Sequence, residues 1–256
     1  MAPRPVVRRF GDLDALSHAA ADDLAALVRA AVAERGRCSL ALSGGSTPKR
    51  LFALLAARGP TALPWDRVEL WWGDERTVPP DHADSNYRMA RETLIDPLGP
   101  ALPASNVHRM AGELTDHDAA ALAYERAVVA ALGAPPVFDV VLLGMGPDGH
   151  TASLFPGSPA LDETARWVVA NPVTSPLVHG TAVRLTLSAP AINAARHVRF
   201  LITGADKAAA LAQVLEGPRD PHRYPSQLIA PTAGDLVWLV DAAAAASLQS
   251  LSGGHA

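Results

Sequence analysis

Apolar residues spaced three or four positions apart dominate the N-terminal part of the chain. Over residues 12–35, leucines, alanines and valines recur at this spacing, and Gly36 follows as a stop signal. The pattern predicts one amphipathic helix. A second helix is predicted after the SGGSTP segment, ended by Gly59, and further helical stretches are predicted over residues 87–95, 118–132, 190–196 and 206–215.

Short apolar runs lie between the predicted helices. The run FDVVLL over residues 138–143 has no polar alternation, which is typical of a strand buried on both faces. Strands are predicted over residues 38–42, 67–72, 138–143, 183–187, 198–203 and 236–240. Their alternation with helices predicts an α/β fold, a doubly wound, Rossmann-like and mostly parallel sheet with helices on both faces. With no linker or internal repeat, residues 1–256 are predicted to form one domain.

Composition narrows the class of protein. Hydrophobic residues make up 49% of the chain, charged residues 19%, and the mean hydropathy is +0.11, as in ordinary globular proteins. A net charge of -4 supplies no basic field, so we expect no nucleic-acid or membrane partner. The N-terminus lacks the apolar core of a signal peptide, and the single Cys38 cannot form an intrachain disulfide. We therefore expect a cytoplasmic protein.

Four polar or glycine-rich segments each follow a predicted strand directly. They are SGGSTP, GDER, GMGPDGH and GADK. In an open parallel sheet, ligands bind beyond the carboxyl ends of the strands. The four segments are therefore predicted to meet at one edge of the sheet and form a site.

Two of these segments suggest anion binding. In SGGSTP, Gly44, Gly45 and Thr47 open a helix, where free N–H groups favour a phosphate. The alternative is a simple turn with Ser46 or Thr47 as N-cap and Pro48 as the first helical residue. In GADK, Lys207 stands in the first helical turn, where a cation is unfavourable unless an anion lies nearby, although a solvated lysine remains the alternative.

Charged residues also accompany two other strands. Asp74 and Arg76 follow the strand over residues 67–72, and Arg76 could bind a carboxylate or phosphate bidentately or simply face solvent. Arg184 lies inside a predicted strand, so it either faces an edge or reaches for an anion, since buried arginines need partners.

His150 is the candidate general base. It closes the turn PDGH, and the unperturbed pKa of histidine near 6.5 suits proton abstraction at neutral pH. Asp148 could orient the imidazole, although side chains two positions apart need not meet. The alternative is a histidine that only stabilises the turn.

Other chemistry is poorly supported. A Walker A loop, the G-x-S-x-G elbow, HExxH and CxxC are all absent from the sequence, and no metal site is indicated. Cys38 lies within a predicted strand and is expected in the core rather than as a nucleophile.

Taken together, SGGSTP, WWGDERTVPPDHADSNYRMA, FDVVLLGMGPDGHTASLFPG and RLTLSAPAINAARHVRFLITGADKA resemble the glucosamine-6-phosphate isomerase/6-phosphogluconolactonase family, specifically its bacterial lactonases. The resemblance implies hydrolysis of 6-phospho-D-glucono-1,5-lactone in the oxidative branch of the pentose phosphate pathway, without metal or organic cofactor. It also implies a small-molecule sugar-phosphate substrate, and we expect a monomer.

The resemblance assigns roles position by position. Gly44, Gly45 and Thr47 would cradle the phosphate, and Arg184 and Lys207 would add positive charge. His150 would activate water with Asp148 supporting it, and Asp74 and Arg76 would line the sugar end, as the corresponding motifs imply.

Two alternatives stay open. Glucosamine-6-phosphate deaminases share the glycine loop, the DGH turn and the later lysine, but that branch places a carboxylate where this chain has Phe155. A sugar-phosphate-sensing regulatory module would share the fold, but such modules carry an upstream helix-turn-helix, and only about forty residues with one predicted helix precede the first loop here.

Overall fold

The computed structural model describes residues 6–178 and 180–249. Residues 1–5, 179 and 250–256 lie outside the described residues. They include the start of the N-terminal segment that was expected not to be a signal peptide, and both ends of the predicted 1–256 domain. The strands are β1 (Val6–Phe10), β2 (Cys38–Leu42), β3 (Val68–Trp72), β4 (Asp74–Arg76), β5 (Val140–Leu143), β6 (Val168–Ser175), β7 (Gly180–Leu187), β8 (His197–Ile202) and β9 (Asp235–Asp241).

Six strands form a parallel sheet in the order β1-β9-β8-β5-β2-β3. The helices are α1 (Leu13–Arg35), α2 (Ser46–Ala57), α3 (Asn86–Ala90), α4 (Asp96–Leu98), α5 (His117–Leu132), α6 (Ala189–Asn193) and α7 (Ala208–Glu216). Every residue of β2 and β5 is buried, as expected for a sheet covered on both faces. The predicted α/β class with a mostly parallel sheet is confirmed.

Helix α1 begins and ends as its sequence predicts. The Asp12 side chain accepts a hydrogen bond from the Ala15 N–H at 2.8 Å and caps the first turn. Gly36 takes a left-handed conformation (φ 75°), which ends the helix at little steric cost. Between these caps, Leu16 and Val28 are fully buried on the helix face that packs on the sheet.

The sequence pattern suggested that residues 183–187 extend the parallel sheet, but they do not. They belong to β7, the central strand of a separate antiparallel sheet of order β4-β7-β6. The segment VRLTL alternates apolar and polar residues, as is typical of antiparallel strands. Leu185 and Leu187 are fully buried in the core, and Thr186 between them is also buried but accepts a hydrogen bond from the Ser153 N–H. The GDER segment, predicted as a loop, forms β4 and pairs with β7.

Gly73 joins the two sheets. Its N–H donates to Leu42 O at 2.9 Å in the main sheet, and its carbonyl accepts from the Leu187 N–H at 2.8 Å in the small one. The chain therefore passes from β3 to β4 in one residue, which places the small sheet beside the carboxyl ends of β2 and β3.

Cys38 lies in the core as predicted. It is fully buried in β2, and burial raises the pKa of its thiol to about 12. A thiol that stays protonated is a poor nucleophile. Within the described ranges, no helix combines the length and apolar character needed to cross a bilayer.

Candidate active site

A cleft of about 340 Å³ lies where the carboxyl ends of β2, β5 and β8 meet the antiparallel sheet. All of the residues predicted for the site line this cleft except Asp148, which contacts His150 from outside it. The predicted residues that line it are Gly44, Gly45, Thr47, Asp74, Arg76, His150, Arg184 and Lys207. The expectation that four post-strand segments form one site is therefore consistent with the geometry.

His150 and Asp148 form a hydrogen-bonded pair. The imidazole Nδ1 lies 2.6 Å from Asp148 Oδ1, and the same oxygen accepts from the backbone N–H of His150 at 3.1 Å. The tight turn between them depends on Gly149, which takes φ 80°. Since the carboxylate accepts from Nδ1–H, the second nitrogen, Nε2, keeps its lone pair and can act as a base.

The Asp148 carboxylate stays ionised in this environment. Burial raises its pKa. The hydrogen bond and charge of His150 and two backbone hydrogen bonds lower the pKa by more than burial raises it, so the pKa lies below the ordinary value for aspartate. The aspartate can therefore stabilise an imidazolium that forms on His150.

Phe155 stacks against the His150 ring. The two ring centroids lie 4.1 Å apart with an interplanar angle of 16°, and the phenyl ring is almost fully buried. Sequence comparison singled out this position only as a missing carboxylate. In the structure, the phenyl ring packs against one face of the His150 imidazole, the candidate base.

The glycine loop leads into helix α2 without a side-chain cap. Gly45, with φ 105°, is the N-cap residue, so the alternative of Ser46 or Thr47 as N-cap and Pro48 as the first helical residue is wrong. The Thr47 hydroxyl instead pairs with the Thr203 hydroxyl at 2.7 Å. The first turn of the helix thus leaves its N–H groups for an anion in the cleft.

Arg76 and Arg184 are directly opposite each other on β4 and β7. Like charges at such positions repel and destabilise the sheet. Burial lowers the pKa of Arg184, and the charge of Arg76 lowers it further, whereas nearby carboxylates raise it. Arg76 donates to the Asp84 carbonyl, while among the described residues the Arg184 guanidinium has no hydrogen-bond partner. An anionic ligand would relieve this repulsion.

Lys207 reaches the cleft from the turn before α7. Its Nζ lies 2.7 Å from Asp206 Oδ2, so the lysine is paired but remains partly exposed. Asp241 holds the turn by accepting from the Gly204 N–H at 3.1 Å and the Ala244 N–H at 2.7 Å. Sequence reasoning missed Asp241, because nothing in the strand β9 pattern connects it with GADK.

Asp74 is buried and oriented by two further residues that sequence reasoning missed. Its Oδ2 accepts from the Ser153 hydroxyl at 2.7 Å, and its Oδ1 accepts from Asn86 Nδ2 at 3.3 Å. Ser153 lies three residues after His150, so its position in the sequence could have identified it as a candidate site residue. Asn86 is the first residue of α3, just before the helix predicted over residues 87–95, and nothing in that pattern connects it with Asp74.

The described residues contain no cluster of side chains suited to binding a metal ion. Across residues 6–178 and 180–249, no group of three or more His, Cys, Asp or Glu side chains could hold an ion. The cleft itself is lined by three cations (Arg76, Arg184 and Lys207), by the buried Asp74 and by His150, whose ring is paired with Asp148 from outside the cleft.

Comparisons with known proteins agree with this geometry. The family model described as "Glucosamine-6-phosphate isomerases/6-phosphogluconolactonase" matches residues 11–238. The 6-phosphogluconolactonase of Synechocystis is 43% identical over 86% of this chain and 88% of its own length, and that of Mycobacterium tuberculosis is 42% identical over 94% and 97%. The structure of 6-phosphogluconolactonase from Trypanosoma cruzi superposes with a TM-score of 0.86 at 34% identity, covering 97% of this chain and 98% of that one. This chain therefore belongs to the glucosamine-6-phosphate isomerase/6-phosphogluconolactonase family.

Proposed function

We propose that this chain is a 6-phosphogluconolactonase, which hydrolyses 6-phospho-D-glucono-1,5-lactone to 6-phospho-D-gluconate in the oxidative branch of the pentose phosphate pathway. The observation that carries the proposal is the His150–Asp148 pair, joined at 2.6 Å, in a cleft that also holds Arg76, Arg184 and Lys207. The relatives that cover most of this chain bear the same activity in their names.

The base acts on water. His150 Nε2 accepts a proton as water oxygen attacks the lactone carbonyl carbon, and Asp148 stabilises the resulting imidazolium. The tetrahedral intermediate collapses with cleavage of the bond from the carbonyl carbon to the ring oxygen. The ring oxygen takes the proton back from the imidazolium, which leaves a carboxylic acid and a hydroxyl group. A six-membered lactone is already electrophilic, so the reaction needs neither a covalent nucleophile nor a metal or organic cofactor.

Binding of the remote phosphate positions the lactone. We assign the phosphate to the first turn of α2 at Gly44, Gly45 and Thr47, with Arg184 and Lys207 supplying positive charge. Binding energy from a non-reacting group can be used to orient the reacting one. We assign Asp74 and Arg76, which line the same cleft, to the sugar end of the substrate, where Arg76 can balance charge that develops on the carbonyl oxygen.

The alternative of glucosamine-6-phosphate deamination is not favoured. That reaction needs an acid for ring opening and proton transfer, and the position where the deaminase branch has its carboxylate is occupied here by Phe155, whose ring packs on the His150 imidazole. A sensing module without catalysis is not favoured either, because the relatives that cover most of this chain are named as 6-phosphogluconolactonases.

The proposed substrate is tested by acid release from freshly prepared lactones. We expect turnover well above spontaneous hydrolysis with 6-phosphogluconolactone and a much lower kcat/KM with unphosphorylated gluconolactone. The same preparation is assayed for ammonia release from glucosamine 6-phosphate. Ammonia release without lactone hydrolysis would overturn the proposal.

We further infer one domain that works as a cytoplasmic monomer on a small sugar phosphate. Residues of both sheets, such as Leu40 and Leu185, belong to one core cluster, which supports a single domain. In the described part of the chain, only three large apolar side chains are exposed, too few for an extensive apolar interface: Val6, Leu114 and Leu177. Analytical ultracentrifugation at micromolar concentration tests the monomer.

A further inference from the structure

Glu75 lies between two site residues but points away from them. It is the middle residue of β4, so its side chain leaves the strand on the face opposite to Asp74 and Arg76. It is 3% exposed and does not line the cleft. Any influence on the reaction must therefore pass through other residues.

Four donors converge on the Glu75 carboxylate. Oε1 accepts from the N–H groups of Arg76 and Asn86, each at 2.7 Å. Oε2 accepts from the Tyr87 N–H at 2.8 Å and from the Ser85 hydroxyl at 3.0 Å. Three of the four donors come from the turn that begins α3, so the carboxylate fastens this turn to the back of β4.

The Glu75 carboxylate is buried without a cationic partner. None of the described lysines and arginines forms an ion pair with it, and its neighbours are N–H and O–H donors. Burial raises its pKa and the hydrogen bonds lower it, with a net increase. A buried carboxylate in this setting depends on every donor, so its removal should release the turn.

The fastened turn contacts three parts of the cleft. Asn86 Nδ2 donates to the Asp74 carbonyl at 2.9 Å and to its carboxylate at 3.3 Å. Asn86 Oδ1 lies so close to Gly44 that a Cβ atom there would come within 1.9 Å of it. The Asp84 carbonyl accepts from the Arg76 guanidinium. Asn86 thus stands between the glycine loop and Asp74, and Glu75 holds Asn86 from behind.

We propose that Glu75 is a positioning residue for lactone hydrolysis, acting through Asn86, which it holds between the glycine loop and Asp74. This inference rests on the proposed lactonase function. The wild-type protein is therefore assayed first, because absence of lactone hydrolysis in the wild type refutes the function, whereas an active wild type with an unaffected Glu75 variant refutes only the positioning role.

The test variant is Glu75→Gln. The amide has the same shape but turns an NH₂ group toward N–H donors, so at least one backbone hydrogen bond is lost. We expect kcat to fall by about tenfold or more, since small misplacements of site groups are costly. The matched control is Glu125→Gln, because Glu125 also accepts from two backbone N–H groups, those of Trp167 and Val168, yet does not line the cleft. The control should lower Tm without lowering kcat.

A double-mutant cycle separates positioning from simple destabilisation. In an Asn86→Ala background, Glu75→Gln should change kcat/KM by less than about twofold, because the residue it acts through is gone, whereas independent effects multiply. Full additivity, wild-type kcat in folded E75Q, or wild-type kcat in N86A each overturns the proposal. If E75Q does not fold, the cycle is run with Ser85→Ala, which removes one donor to Glu75, and the same additivity criterion applies.

Discussion

At the residue scale, one hydrogen bond decides which nitrogen of His150 is free. Asp148 lies 2.6 Å from Nδ1, so the proton stays on that nitrogen and Nε2 is free to accept a proton in the proposed reaction. The stacked Phe155 ring limits rotation of the imidazole. The sequence identified His150 and Asp148 as candidates because both lie in a glycine-rich turn after a strand. It could not show that their side chains meet, since that depends on the φ angle at Gly149.

Replacing Asp148 with asparagine should impair chemistry more than binding. The asparagine NH₂ group can donate to Nδ1, which moves the imidazole proton to Nε2 and removes the base. We expect kcat to fall by about tenfold or more with KM nearly unchanged. The matched control is Asp235→Asn, since Asp235 makes the same 2.6 Å contact with His197 Nδ1 outside the cleft. Equal kcat losses in the two variants would contradict the assignment.

Removing either cation from the proposed phosphate subsite should raise KM. A charge-assisted hydrogen bond contributes about 1.5–3 kcal/mol, so Arg184→Ala and Lys207→Ala should each raise KM by about tenfold or more. Steady-state kinetics with 6-phosphogluconolactone measure this. Lys49→Ala, an exposed lysine near the glycine loop that does not line the cleft, is the control. If KM is unaffected by both test variants, the phosphate lies elsewhere.

At the element scale, short turns determine where the chemical groups stand. Residues 144–157 follow β5, and the Gly146 N–H donates to the His150 carbonyl at 2.9 Å, which closes the turn around the base. The sequence predicted these turns and most of the helices and buried strands, because apolar periodicity and glycine placement are local signals. It did not predict the antiparallel sheet, because pairing between β4, β7 and β6 joins residues far apart in sequence.

The close packing of Gly146 gives an element-scale prediction. A Cβ atom at this position would lie 2.1 Å from His150 Nδ1 and 2.6 Å from Asp148 Oδ1, so Gly146→Ala must displace the pair. We expect a fall in kcat of about tenfold or more in a protein that remains folded by circular dichroism. Gly11→Ala, where the added methyl meets nothing within 4 Å, should leave kcat unchanged. A G146A variant with normal kcat would show that the pair tolerates movement.

At the scale of the whole molecule, the cleft is a junction between two sheets. The parallel sheet contributes the glycine loop, the histidine turn and Lys207, and the antiparallel sheet contributes Asp74, Arg76 and Arg184. Sequence order alone suggested a single edge, and the second sheet supplies the facing wall. The proposed base and the residues that we assign to the phosphate belong to different segments of the chain, so chemistry and binding should respond to different variants.

The most direct test of the account is the steady-state kinetics of His150→Ala with 6-phosphogluconolactone. Spontaneous hydrolysis is subtracted, and folding is verified by circular dichroism. Loss of the base should lower kcat by about 10²–10⁴-fold while KM changes little, because the proposed phosphate contacts remain. A folded His150→Ala variant that keeps the wild-type kcat would contradict the central claim that this side chain activates water for lactone hydrolysis.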